Sequence, residues 1–165
     1  PHLHLSQNRT DRFQIIHPLT RGSLMHWYEK ESNRNRLQKI EQAIMARKFP
    51  QFSLFLGGGK YRFAGPGILF WGGRLRTNFG NAYMVAVTYP ENFPYGQIKS
   101  YIPSLIGRPT PHKYVDGHLC LYSNDHGGKG EGIGRETTAA TIVGWTAAWL
   151  NAWEVYKRTG KWPGK

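Results

Sequence analysis

Cysteine is nearly missing from this chain: one residue, Cys120, in 165. A single thiol excludes an intramolecular disulfide framework and any cysteine-rich zinc module. Acidic side chains are also scarce, 10 Asp plus Glu against 22 Lys plus Arg, which leaves a formal charge of +12. No apolar run approaches the roughly 18–20 residues that a membrane-spanning helix needs. No basic-then-apolar leader opens the chain, so the expected protein is soluble and cytoplasmic. Internal repeats are absent. What is present argues for a folded core: 39% of the residues are hydrophobic and 14% aromatic, with six Trp. That much apolar surface can offset the entropy of ordering, and at this length one domain is expected, with at most a short arm.

A surface this basic points to an anionic partner, whether nucleic acid, a membrane surface or an acidic protein face. The cations are spread rather than blocked. Arg34, Arg36, Lys39, Arg47 and Lys48 lie along one stretch, and Lys157, Arg158, Lys161 and Lys165 crowd the C-terminus. This favours solvated faces or protein docking over nucleic acid.

Residues 1–23 show no sustained period and read as an N-terminal arm, with His2 and His4 as ordinary surface residues. From Leu24 to Lys48 the pattern turns helical, with Leu37, Ile40, Ile44 and Met45 at three- and four-residue spacing. Phe49-Pro50 ends the helix, because proline restricts the residue before it. Four apolar runs follow, Phe52–Leu56, Ile68–Trp71, Ala82–Tyr89 and Ile98–Ile102, punctuated by Gly, Pro and Asn as in an antiparallel meander. Gly57–Lys60 lacks the leading glycine and following hydroxyl of a phosphate loop, so it reads as a hairpin turn. Residues 103–134 read as irregular, and long irregular stretches inside a compact domain tend to be functional. Thr137 to Tyr156 is a helix carrying Trp145, Trp149, Trp153 and Tyr156 as an aromatic stripe, read as core packing, and Gly160 and Pro163 stop it. Strands grouped between helices predict an α+β domain.

The irregular stretch holds His112, His118, Cys120 and His126. Mixed nitrogen and sulfur donors suit zinc, but the short paired spacings of structural zinc sites are missing, so no metal and no cofactor are expected. In extended backbone His118 and Cys120 point to one side and Leu119 to the other. A lone cysteine is either an inert buried hydrophobe or, beside imidazoles, a nucleophile, and spacing alone leaves both open. His112 or His118 with Asp116 or Asp125 can be drawn as a base and its partner, and spacing selects neither.

Three motifs in this order resemble the ubiquitin-conjugating enzymes, the UBC fold: Tyr89-Pro90-Glu91-Asn92-Phe93-Pro94, then Pro111-His112, then Asp116-Gly117-His118-Leu119-Cys120-Leu121. With the pattern from Trp149 to Trp162, they are similar to the bacterial branch of that family found in antiphage defence operons, of the CBASS or ubiquitin-like conjugation type. The resemblance covers about residues 24–160. It implies a leading helix, a four-stranded antiparallel meander, an active-site loop and a closing helix, with 24–165 as the catalytic domain.

By the same resemblance Cys120 is the thioester-forming cysteine. His112 stands where the family has the Asn that stabilises the oxyanion, eight residues before the cysteine. An imidazole can donate to an oxyanion or take a proton from an incoming amine. Thr110 replaces the family's preceding His, and a glycine-rich segment replaces the Trp that commonly follows the cysteine. His118, Tyr122 and Asp125 are candidate supporting residues. The implied partners are a protein donor with a reactive C-terminus, either a ubiquitin-like protein or a cyclic-nucleotide synthase (CD-NTase), and an activating enzyme docking on the basic helix 24–48. The alternatives are an inactive UBC-fold scaffold that binds a defence partner, and a basic nucleic-acid-binding domain.

Overall fold

The computed structural model describes residues 25–121 and 134–164. The arm expected over 1–23 lies outside these, as do Tyr122, Asp125 and His126.

A 3-10 turn, Trp27–Glu29, starts the fold, with the Glu29 carboxylate accepting the His26 amide at 2.9 Å. The first helix then runs as α1 (Glu31–Arg36), a π-helical turn (Leu37–Glu41) and α2 (Gln42–Lys48), and it stops before Pro50 as expected. The π turn changes which residues face inward. Leu37 and Met45 are buried, but Ile40, expected on the apolar face, is 46% exposed, and Glu41 is completely buried in its place. A π turn takes in an extra residue, so it rotates the inward position from 40 to 41.

Glu41 has partners where it points. Its Oε1 accepts the Tyr89 hydroxyl at 2.8 Å and the Ala139 amide at 2.9 Å, while Tyr89 in turn accepts Trp71 Nε1 at 2.8 Å. A carboxylate is thus placed at the N-terminus of the closing helix, where unpaired N–H groups favour an acceptor. Burial raises the pKa of this carboxyl, and the two hydrogen bonds and Arg36 only partly oppose that rise.

The sheet is a four-stranded antiparallel meander in the order β1 (Ser53–Leu56), β2 (Leu69–Arg76), β3 (Ala82–Thr88), β4 (Lys99–Tyr101). Four strands were expected, but Gly72-Gly73, read as punctuation, continue β2 and pair with Ala86 and Val85. Gly73 is there because a Cβ would stand 2.7 Å from the Phe52 ring. Gly57–Lys60 belongs to the long β1–β2 connection, which folds Tyr61, Phe63 and Ala64 over Phe55, Phe70 and Ala86 on the outer sheet face. The inner face carries Leu69, Trp71, Leu75, Val85 and Val87 against the helices. Burying each such side chain is worth roughly 1.5–3 kcal/mol.

The closing helix, α3 (Ala139–Thr159), begins with Thr138 accepting the Thr141 amide at 3.3 Å and ends at Gly160, whose φ of 73° gives the left-handed turn that only glycine adopts freely. It packs across the inner face, where Thr146 and Ser100 hydroxyls meet at 2.7 Å. Near its C-terminus Glu154, also buried, accepts Tyr83 at 2.6 Å, Asn81 at 2.9 Å and Arg158 at 2.9 Å. Burial alone would raise this carboxyl, but these hydrogen bonds and the nearby Lys157 outweigh it and pull it down to about 2. No helix among the described residues is long and apolar enough to cross a membrane.

Candidate functional site

The stretch after β4 is less irregular than its sequence suggests. A 3-10 turn, Pro103–Leu105, leads into a loop that Lys113 pins by donating to the carbonyls of Leu105 and Arg108. Residues 112–120 then double back on themselves. Lys113 bridges Leu119, the Tyr114 amide donates to the His118 carbonyl at 2.9 Å, and the Cys120 amide donates to the His112 carbonyl at 2.9 Å. Asp116-Gly117 makes the bend, Gly117 taking a φ of 97° that a side-chain-bearing residue resists. This hairpin is fastened to the sheet by the Leu119 amide on the Ser100 carbonyl, 2.8 Å, and by a bridge between His118 and Tyr101. Leu119 is core, so Cys120, one residue on, is held at a fixed place on the domain.

Cys120 is half-buried, its thiol in no disulfide and 3.5 Å from the Tyr114 hydroxyl. Its sulfur opens on a cleft of about 300 Å³ between the hairpin and α3, lined by His112, Trp145, Trp149, Trp162 and Pro163 among others. His112 occupies this cleft through an unusual backbone, φ 55°, the one non-glycine residue in the left-handed region among those described. Asn, Asp and His tolerate that region better than other residues do. The conformation aims the His112 carbonyl at two donors, Cys120 N and Trp149 Nε1 (3.0 Å), while its ring lies against Trp162 with centroids 4.7 Å apart. Backbone strain of this kind persists where surrounding contacts over-determine it, and it clusters at functional sites.

His118 is buried beneath this arrangement rather than in the cleft wall. Its Nδ1 lies 2.5 Å from Asp116 Oδ1, and its ring stacks on Tyr114 with centroids 4.2 Å apart. Burial lowers the pKa of the imidazole more than Asp116 raises it, so His118 is neutral at pH 7 and donates Nδ1–H. Burial also acts to raise the Asp116 carboxyl, but the His118 amide and ring, with Lys99, hold it below its usual range. The Tyr114 hydroxyl pKa is raised, first by its hydrogen bond to Cys120.

Of the residues singled out from sequence, then, the fold brings Cys120 and His112 to one cleft, and links His118 to Cys120 through Tyr114. Tyr122 and Asp125 lie outside the described residues. Tyr114 escaped the sequence reading, although the Asp-Gly bend, once taken as a hairpin, pairs it with His118 and puts it beside Cys120. The Trp stripe is core only in part: Trp149 is buried, yet it and Trp145 also wall the cleft. On the basic helix Lys39, Arg47 and Lys48 are exposed, whereas Arg34 and Arg36 are half-buried and donate to main-chain carbonyls. No group of three or more His, Cys, Asp or Glu able to hold a metal ion occurs among the described residues.

Comparison with known proteins gives no match to any curated protein or solved structure. One family model, E2-CBASS, described as the type II CBASS E2 protein, matches residues 41–165. That span takes in all four strands, the hairpin with Cys120, both walls of the cleft and α3. The chain therefore belongs to the type II CBASS E2 family, and is an E2-like protein of CBASS defence.

Proposed function

We propose that this chain is a ubiquitin-conjugating-like acyltransferase. Cys120 carries a protein C-terminus as a thioester and passes it to a lysine or another nucleophile, and the protein conjugated is the CD-NTase. The observation that carries this reading is the setting of Cys120: a reachable thiol, fixed on a hairpin anchored in the core, at the mouth of a cleft shared with His112. Family membership implies interaction with other CBASS proteins. In this reading residues 24–165 form a UBC-like catalytic domain, and the exposed Lys39, Arg47 and Lys48 receive an activating enzyme.

The chemistry asks little of the protein. The Cys120 thiolate attacks an activated C-terminal carbonyl, and the activating group leaves. An amine then attacks the thioester carbonyl, the carbon–sulfur bond breaks, and the thiol is regenerated as an amide forms. Because thioesters react with amines without large additional activation, positioning and support of the developing oxyanion suffice. The His112 imidazole, at the cleft with the nucleophile, donates to the oxyanion or takes the amine proton. Tyr122 and Asp125, on the segment after the nucleophile, complete the supporting set.

The test is mass spectrometry of the protein mixed with its operon partners and any activating enzyme. The expected result is a reducible adduct on Cys120 that Cys120→Ala abolishes. Full adduct yield in that variant would refute the reading.

A further inference from the structure

We propose that the outer edge of β1, with the recess beside it under α2, is a docking site for an extended acidic segment of a partner protein, which adds to the sheet as a further strand. The two edges of the sheet differ. Beyond β4 the 112–120 hairpin covers the edge, with Leu119 donating to the Ser100 carbonyl at 2.8 Å and His118 bridging Tyr101. Beyond β1 no strand is paired among the described residues. The strand, Ser53–Leu56, has none of the charged residues or prolines that keep an open edge from pairing, and Leu56 is 41% exposed.

The register decides which groups face out. Gly57 N donates to Ile68 O at 2.6 Å, and Tyr89 N to Leu69 O at 3.0 Å. The hydrogen-bonded pairs therefore fall at Phe55–Phe70 and Ser53–Gly72, and the N–H and C=O groups of Leu54 and Leu56 point away from β2. Leu54 packs on the inner face with Trp71, and Phe55 on the outer face. A segment bonded to Leu54 and Leu56 thus sets alternate side chains on the inner face, beside α2. A recess of about 180 Å³ lies there, lined by Gln42, Ala46, Pro50, Phe52, Leu54 and Trp71 among others. It is below the range of small-molecule sites and of a size for one apolar side chain.

Charge names the partner. From Gln42 to Pro90 the chain has six Lys and Arg, all exposed, and no Asp or Glu. Arg47 and Lys48 follow Ala46 at the recess, and none of the six is in an ion pair among the described residues. Such a face repels a second copy of this +12 chain and attracts an acidic one. Apolar and acidic residues in alternation meet both demands, one set turned to the recess and the other to the cations.

The experiment measures the fluorescence anisotropy of fluorescein-labelled Glu-Val-Glu-Leu-Glu-Val-Glu amide titrated with the full chain. The expected result is saturable binding that weakens as salt is raised. Replacing Leu by Ser in the peptide should weaken it about tenfold or more, and so should Ala46→Phe, which fills the recess from an exposed helix position. N-methylating one alternate set of peptide amides should abolish binding and N-methylating the other should spare it, because an edge strand bonds through every second residue. Absence of binding, equal loss from both methylated sets, affinity unmoved by either apolar change, or equal binding of Lys-Val-Lys-Leu-Lys-Val-Lys overturns the proposal. So does sedimentation showing a dimer that Ala46→Phe splits, since the occupant is then a second copy. No readout involves Cys120, so the thioester reading stands or falls apart from this result.

Discussion

His112 joins a backbone role to a chemical one, and substitutions can pull the two apart. Its φ of 55° costs a side-chain-bearing residue roughly 1–2 kcal/mol, and glycine almost nothing. Its ring packs on Trp162 with centroids 4.7 Å apart, a contact worth about 0.5–1.5 kcal/mol. His112→Gly relieves the first and loses the second, so its stability should fall within about 1 kcal/mol of the parent. His112→Ala loses the ring and keeps the strain, and should sit about 1–2 kcal/mol below the glycine variant, a Tm difference of about 2–8 °C for a chain of this size. Both variants lack the imidazole, so both should discharge a Cys120 thioester onto lysine about 100- to 10,000-fold more slowly. His112→Asn tolerates the same backbone and keeps an N–H donor, and its rate should lie between. Single-turnover discharge of the chemically acylated protein, alongside thermal melts, reads both quantities. A glycine variant discharging at the parental rate would refute the chemical role. Equal melting temperatures for the alanine and glycine variants would refute the backbone argument.

Two buried carboxylates should drive stability in opposite directions with pH. Glu154, pulled from 4.5 to about 2, favours the folded state fully above the unfolded pKa and loses that contribution as pH falls toward 2. The shift corresponds to about 3 kcal/mol, a ceiling because Arg158 and Lys157 are 49% and 41% exposed and so partly screened. Urea unfolding should therefore show Glu154→Gln well below the parent at pH 7 and converging with it by about pH 2–3; parallel curves would contradict this. Glu41 is raised instead, so its contribution is present below the unfolded pKa and lost as pH rises through the folded one. Glu41→Gln keeps an acceptor for Tyr89 and Ala139 and should gain on the parent from pH 4 to pH 7. Glu41→Leu leaves both donors unsatisfied and should cost about 2–4 kcal/mol at pH 4 in the same unfolding assay, and less at pH 7 because it too lacks the raised carboxyl.

Much of this was readable because local and global preferences agree. The α+β order, the four strands and the helix stop at Gly160 follow from patterns that act over a few residues, whereas His112 was placed with Cys120 through the family resemblance alone. What was not readable involves pairs distant in sequence. Ile40 fits the helical period better than Glu41 does, and partners distant in sequence, the Tyr89 hydroxyl and the Ala139 amide, explain why the helix rotates to bury the acid. Gly73 resembles a turn signal until Phe52 is seen to occupy the space above it. The Trp stripe reads as core because periodicity reports that a face is covered, not whether the cover is complete.

The hairpin also places the two imidazoles drawn from sequence differently with respect to Cys120. Serine- or cysteine-hydrolase logic would pair a carboxylate with a histidine and aim that histidine at the sulfur. Asp116 and His118 do form such a pair, but the ring it orients is buried, neutral, and stacked on Tyr114. Among the described residues the pair reaches Cys120 through Tyr114, whose hydroxyl is 3.5 Å from Cys120 Sγ. Among the described residues the imidazole that shares the cleft with the sulfur is His112, set by a left-handed backbone and packed against the Trp162 indole. Under the proposed thioester chemistry no strong base is required, because the sulfur leaves readily and the partner amine is itself the strong nucleophile.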